Sequence, residues 1–277
     1  MTAVSTAELV ARAVADMAHV VALNVITLEH AEGVLAGAAQ AGVPVILQVS
    51  ENAIRYHVGG GAPLLAACAV LVADHRATAS IHLDHVTDPA LLGLARGDLG
   101  VSSMMYDASE LSYDDNVART RSVTDDLRAR GIWVEAELGA IGGKGGAHAP
   151  GVRTDPQEAV AFVAATGVDA LAVAVGSSHA MTAQTASLDH DLVRALADVV
   201  PVPLVLHGSS GVPVEQLREA VGAGIRKINV GTALNVAFTG AVREALGDDG
   251  LTDPRKYLAP ARDAVAASVH TLLEELR

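Results

Sequence analysis

LVLHGSSGVPVEQLREAVGAGIRKINVGT, residues 204–232, contains one full turn of the pattern that decides the fold. An apolar run ends at His207 and a Gly-Ser-Ser-Gly turn. A helix-length segment follows, and Gly224 stands where a left-handed residue closes a helix. A second apolar run begins at Ile225 and ends in Asn229-Val230-Gly231-Thr232. Working outward, similar runs at 20–25, 43–49, 80–84, 101–106, 132–138 and 170–175 predict, with 204–207 and 225–230, eight strands separated by helix-length stretches. Asp88-Pro89 and Asp155-Pro156 each supply a capping carboxylate and a proline at a first helical position, and Gly42, Gly131 and Gly167 close further helices. No linker or composition shift interrupts the alternation. The expectation is an α/β fold, a (β/α)8 TIM barrel occupying residues 1–277 as a single domain. An N-terminal helix is predicted from the Ser5/Glu8 capping box with Leu9, Val10, Ala13 and Met17 behind it. A C-terminal helix follows Asp253-Pro254 and carries Val265, Val269, Leu272, Leu273 and Leu276, to pack on the outside of the barrel or on a partner subunit.

Composition agrees. Hydrophobic residues make up 51% of the 277, aromatics only 3% and charged residues 18%, so the core is built from Ala, Val, Leu and Ile, which suit helices packed on parallel strands. A net charge of −13 repels nucleic acid and anionic lipid, so neither is an expected partner, whereas a small anionic substrate can still be held by local amides and cations. The single cysteine, Cys68, excludes an intrachain disulfide and suits a reducing compartment. No export signal leads the sequence, and the longest uncharged runs, 33–50 and 58–73, are broken by Gly and Pro. The expected location is cytoplasmic.

In such barrels chemistry sits at the carboxyl ends of the strands. The third strand ends in His82-Leu83-Asp84-His85, the fourth in Tyr106-Asp107, the fifth in Glu135-Ala136-Glu137, the sixth leads to Ser178-His179, and the seventh ends at His207. His85, His179 and His207 come from three strand ends of one mouth, an arrangement that offers a Zn²⁺-like ion three imidazoles and leaves an open position. His82 differs in parity and depth from His85 and is expected to be packed behind the ligands. Gly208-Ser209-Ser210-Gly211 and Asn229-Val230-Gly231-Thr232 occupy the two loops that commonly cradle a phosphate in this fold. A metal beside a phosphate, with Asp84 next to a ligand, points to chemistry at a carbonyl, where the carboxylate moves a proton.

These motifs, together with Leu23-Asn24-Val25, Gln48-Val49-Ser50-Glu51, Val134-Glu135-Ala136-Glu137-Leu138-Gly139, Leu206-His207-Gly208, Lys227-Ile228-Asn229-Val230 and Asp253-Pro254-Arg255-Lys256-Tyr257, run in one order along nearly the whole chain. The chain thus resembles the class II, metal-dependent ketose-bisphosphate aldolases, which include fructose- and tagatose-bisphosphate aldolases. The resemblance implies that His85, His179 and His207 ligate zinc, with Co²⁺ or another divalent ion as a substitute. It implies that Asp84 transfers the proton at the C4 hydroxyl, that Glu137 is an alternative or outer ligand, and that Asp107 supports the metal. Gly208, Ser209, Ser210, Asn229, Gly231 and Thr232 would hold the phosphate of the dihydroxyacetone phosphate half, with Ser50, Asn24 and Arg255 reaching the other phosphate. It further implies a homodimer or homotetramer, a phosphorylated sugar as the small-molecule substrate, and a monovalent cation near the phosphate.

Two departures stand out. Ala180 follows the middle histidine where the family usually has glycine, and the loop after strand five reads Gly142-Gly143-Lys144-Gly145-Gly146-Ala147-His148 in place of an acidic pair. Either His148 or Asp155 takes over the missing acid/base role, or the substrate differs from fructose 1,6-bisphosphate. Tagatose bisphosphate and a 6-phospho-deoxy-keto sugar acid are the alternatives. Outside that class stand a Schiff-base aldolase using Lys227, a metal-dependent epimerase or isomerase, and a non-catalytic barrel subunit that binds sugar phosphate.

Overall fold

The structure, a computed structural model, describes residues 4–138, 153–178 and 181–277. Eight parallel strands close into a barrel in chain order, with the last paired to the first. They are β1 (Val20–Asn24), β2 (Val45–Ser50), β3 (Ala79–Val86), β4 (Val101–Tyr106), β5 (Trp133–Glu137), β6 (Ala170–Ala172), β7 (Leu204–Leu206) and β8 (Ile225–Val230). Around them lie α1 (Thr6–Ala15), α2 (Leu28–Ala41), α3 (Glu51–Tyr56), α4 (Ala62–Asp74), α5 (Tyr113–Ala129), α6 (Pro156–Thr166), α7 (His190–Val199), α8 (Val214–Ala223), α9 (Thr232–Ala245) and α10 (Arg255–Glu275). The outward faces of the strands, such as Leu23, Leu47, Leu83 and Leu206, form one apolar layer with the helices.

The capping box is present, with the Ser5 side chain accepting from the Glu8 amide and Glu8 accepting from the Ser5 amide. Leu9 and Val10 pack on Val20, Ala22 and Ile46 near the amino ends of the strands, so α1 plugs the bottom of the barrel. α10 lies against α2 and α9 on the outside, burying Val265, Val269 and Leu273. One element differs from expectation. Asp88 does cap the segment after β3 by accepting from the Ala90 amide, but two 3₁₀ turns, Pro89–Leu94 and Gly97–Leu99, replace an α-helix. Gly93 and Gly97 each cost a helix about 1 kcal/mol relative to Ala, and the half-buried Leu91, Leu92 and Leu94 do not bury enough to offset it.

A second irregularity positions the site. β3 pairs with β4 at Leu83↔Met104 and next at Val86↔Tyr106, so three steps on one strand match two on the other. This bulge falls on Asp84-His85, and His85 takes a left-handed φ of 48°. Neighbouring residues of a strand normally point to opposite faces. The extra residue turns both side chains toward the mouth.

Candidate active site

A cavity of about 760 Å³ opens at the carboxyl ends of the strands. Of the residues singled out in the sequence, Asn24, Ser50, Asp84, His85, Asp107, Glu137, His207, Gly208, Ser210, Asn229, Gly231 and Thr232 all line it. His179 and His148 lie outside the described residues. Ser209 is buried behind the cavity wall, its hydroxyl donating to the Leu206 carbonyl at 3.3 Å. Arg255 is not a lining residue. It opens α10 with its side chain 90% exposed and its guanidinium paired to Asp253, because the two sit together on the Asp-Pro-Arg turn. Asp155 accepts from the Gln157 and Glu158 amides, which fixes it as the cap of α6.

The metal-binding chemistry follows from which nitrogens carry protons. Asp107 Oδ2 accepts from His85 Nδ1 at 2.8 Å, while its other oxygen accepts from the amide and hydroxyl of Ser109. Glu135 Oε1 accepts from His207 Nε2 at 2.9 Å. A carboxylate can only accept, so both imidazoles carry their protons on the far side and turn a lone pair inward. Those inner atoms, His85 Nε2 and His207 Nδ1, stand 3.0 Å apart. Two lone pairs cannot face each other so closely without a positive centre, a proton or a metal ion, between or beside them. Asp84, His85 and His207 offer three donor atoms within 4.8 Å of one another, and His85, Asp107 and Glu137 offer a second such group. Asp84 Oδ1 is buried with no hydrogen-bond partner among the described residues. The donor set therefore fits a divalent ion with an N/O preference.

The charges answer to the same geometry. Burial opposes a charge on His85, but Asp84, the hydrogen bond to Asp107 and the Glu137 carboxylate outweigh it and lift the imidazole to about 10. Burial raises the Asp84 carboxyl, with His85 and Lys227 pulling the other way, which leaves it a stronger base than an exposed aspartate.

Two residues whose roles sequence reasoning missed complete the support. Lys227, fully buried, donates to Glu135 Oε2 at 2.8 Å and to Asn229 Oδ1 at 2.9 Å. A buried amine whose nitrogen is engaged by a carboxylate and an amide oxygen is poorly placed to attack a ketone, which argues against the Schiff-base alternative. Beneath it the polar column continues down the barrel axis. His82 lies with Nε2 4.0 Å from Glu135, its Nδ1 bonds Ser103 at 2.8 Å, and Ser103 donates to Thr6 of α1 at 2.6 Å. His82 is thus packed behind the ligands, as its parity suggested. The signal for Glu135 and Lys227 was present, since each shares inward parity with a recognised residue two positions on, Glu137 and Asn229.

On the β7–β8 side, Ser210 Oγ accepts from the amides of Gly231 and Ala233 at the start of α9, at 3.3 and 3.1 Å. An oxygen already sits where these amides converge, which is what a phosphate oxygen would do. Gly208 has φ 67°, and a Cβ there would meet the Ser178 carbonyl at 2.6 Å, so only glycine allows the loop to close over the site. A Cβ on Gly231 would strike the Asn24 side chain at 2.6 Å. Gln48, also unforeseen, donates to Asn24 Oδ1 at 2.9 Å and holds that amide against the cradle.

Comparison with known proteins agrees with this geometry. The family profile described as fructose-bisphosphate aldolase class-II matches residues 4–277. A fructose-bisphosphate aldolase of Geobacillus stearothermophilus is 39% identical over 274 residues, covering 97% of this chain and 95% of its own length. One from Thermus caldophilus is 36% identical, covering 96% and 95%. Among solved structures, the YdjI aldolase of Escherichia coli K12 superposes with a TM-score of 0.87 at 27% identity, covering 99% of this chain and 97% of that one.

Proposed function

Because the chain belongs to the class-II fructose-bisphosphate aldolase family and is a lyase, we propose that it reversibly cleaves a phosphorylated ketose to dihydroxyacetone phosphate and an aldehyde, with fructose 1,6-bisphosphate as the leading substrate. The observation that carries this reading is the pair of inward-facing nitrogens, His85 Nε2 and His207 Nδ1, with the raised carboxyl of Asp84 beside them. The resident ion is Zn²⁺, replaceable by Co²⁺, held by His85 and His207 with His179 as the third imidazole and Glu137 as an outer ligand. Such an ion polarises the ketone carbonyl and stabilises negative charge on the three-carbon fragment.

The chain's own residues do the rest. Gly208, Ser210, Gly231 and Thr232 hold the C1 phosphate with Asn229 beside it, and Asn24 and Ser50 face the other phosphate. The Asp84 carboxylate takes the proton of the C4 hydroxyl; C4–O becomes the aldehyde carbonyl, the C3–C4 bond breaks, and its electron pair stays with the three-carbon fragment. His148 is the residue we assign to return a proton to C3, since Asp155 is committed to capping α6. The native assembly is a homodimer or homotetramer in the cytoplasm, with a monovalent cation near the phosphate. Among the described residues no helix is long and apolar enough to cross a membrane.

The test is Asp84→Asn, which keeps size and hydrogen bonding but cannot move the proton. The expected kcat falls by roughly 10² or more with little change in KM. An unchanged kcat would reassign the proton to another group, Asp107 being the nearest carboxylate in the site.

A further inference from the structure

We propose that Thr6 of α1 is a positioning residue for the metal centre: through Ser103 it holds His82 in one tautomer, and His82 so held leaves Glu135 free to orient the ligand His207. This role rests on the metal-site reading above and deepens it by naming what fixes the ligand from below.

The barrel interior is polar along one side. Such interiors are commonly filled by layers of branched apolar side chains. Ala22, Ile46, Met105, Ala172 and Val205 keep an apolar filling. Ser80 and His82 of β3, Ser103 of β4, Glu135 of β5 and Lys227 of β8 do not, and all five are buried. Polar groups taken out of water cost stability unless they bond one another, so the order of bonds along this column matters.

That order can be read. Ser103 Oγ donates to Thr6 Oγ1 at 2.6 Å. A hydroxyl has one proton, so toward His82 Nδ1, 2.8 Å away, Ser103 can only accept. His82 Nδ1 therefore donates. Burial first, and Lys227 after it, hold this imidazole well below its usual pKa, so the ring is neutral and its Nε2 carries a lone pair. That nitrogen has no hydrogen-bond partner among the described residues and lies 4.0 Å from Glu135 Oε2. Thr6 is itself anchored to the barrel, since its amide donates to Ser102 Oγ at 3.0 Å and its hydroxyl lies 2.9 Å from Ser80 Oγ.

The consequence falls on the ligand. Glu135 accepts from His207 Nε2 with one oxygen and from Lys227 Nζ with the other. While His82 Nε2 bears no proton, the imidazole adds no competing donor to that carboxylate. Remove the Thr6 hydroxyl, and the Ser103 proton turns to His82 Nδ1, so the ring's own proton must move to Nε2, where it faces Glu135 Oε2. A new donor there competes with Lys227 and tilts the carboxylate, and with it the bond that aims His207 at the ion. Packing of Leu9 and Val10 on Val20, Ala22 and Ile46 suffices to seat α1 and needs none of this order.

The experiment reads the His82 tautomer from imidazole ¹⁵N shifts in the Zn²⁺-loaded enzyme, and Zn²⁺ affinity by competition with a chromophoric chelator. Wild type is expected to show a protonated Nδ1 and an unprotonated Nε2. Thr6→Val keeps the shape and loses the hydroxyl. It should move the proton to Nε2 and weaken Zn²⁺ binding about 5-fold, less than the loss of a ligand's direct partner does. Thr6→Ser should restore both readouts, and Ser103→Ala, which breaks the column one step nearer the site, should weaken binding in the same direction. Val10→Ala thins the packing of α1 without touching the column, so it should lower Tm and leave tautomer and affinity as in wild type. A wild-type His82 protonated at Nε2 overturns the proposal before any variant is made. So does Zn²⁺ affinity that falls as far in Val10→Ala as in Thr6→Val, or that is unchanged in Thr6→Val. Wild-type enzyme that holds no Zn²⁺ in the competition overturns the metal-site reading itself, an outcome distinct from a Zn²⁺ site indifferent to Thr6.

Discussion

His85 joins backbone strain to function. Its φ of 48° places a Cβ-bearing residue in a region that costs about 1–2 kcal/mol, and the bulge it occupies brings Asp84 and His85 into one mouth. Metal-free His85→Gly should therefore be more stable than metal-free His85→Ala by about 1 kcal/mol in denaturant unfolding, although neither binds metal well. Equal stabilities would mean that the left-handed geometry relaxes once the imidazole is gone. At the same scale, Glu135 accepts from His207 Nε2 with one oxygen and from Lys227 Nζ with the other. Glu135→Gln should weaken metal binding 10- to 100-fold in competition with a chromophoric chelator, and unaltered affinity would reduce the contact to packing. The sequence displayed the side chains that matter here but not their relations. Strict alternation would set Asp84 and His85 on opposite faces, and only the register with β4 shows otherwise. The Glu135–Lys227 pair joins residues far apart in the chain, β5 to β8, and no local pattern announces it.

Elements were legible where their signal is local. Ser5 and Glu8 marked the start of α1, and Gly42 and Gly167, both left-handed, closed α2 and α6. The 3₁₀ turns after β3 were not, because Arg130, just past α5, donates to the carbonyls of Leu92 and Ala95 at 3.1 and 3.3 Å and holds them from another element. Glu51, opening α3, accepts from the amides of Thr87 and Asp88 at 2.7 and 3.1 Å and from Arg55 at 2.8 Å, tying α3 to the end of β3 beside the bulge. Burial raises its carboxyl, but those donors outweigh it and hold the group below the usual glutamate range. A depressed carboxylate contributes stability above its unfolded pKa, near 4.3, and loses it as pH falls through the lower folded value. Glu51→Gln can satisfy fewer of these donors, so it should be less stable than wild type by about 1–2 kcal/mol at pH 7. The gap should narrow below about pH 4. A gap that stays constant from pH 7 to pH 3 in paired unfolding curves would show that the charge contributes nothing.

For the molecule as a whole, the architecture was the most legible feature, since eight apolar runs with punctuated spacers leave few ways to close a parallel sheet. The support beneath the ligands was less so, because Glu135 of β5 and Lys227 of β8 meet only once the barrel has closed. The same division of labour governs what metal removal should do. The apolar layer between strands and helices excludes the site, and α1 seals the other end of the barrel, so neither depends on the ion. Without it, however, His85 Nε2 and His207 Nδ1, 3.0 Å apart, hold a proton between them in the ion's place, and Asp84 keeps a buried oxygen without a partner among the described residues. Chelation should therefore abolish cleavage while leaving the far-ultraviolet circular dichroism intact, and Zn²⁺ or Co²⁺ should restore activity. Metal at about 100 times its Kd adds roughly 2.7 kcal/mol to the folded state, which in a chain of this size is a rise in Tm on the order of 5 °C. Collapse of the helical signal on chelation would show that the ion is part of the fold, and full activity in the stripped protein would remove the metal from the reaction.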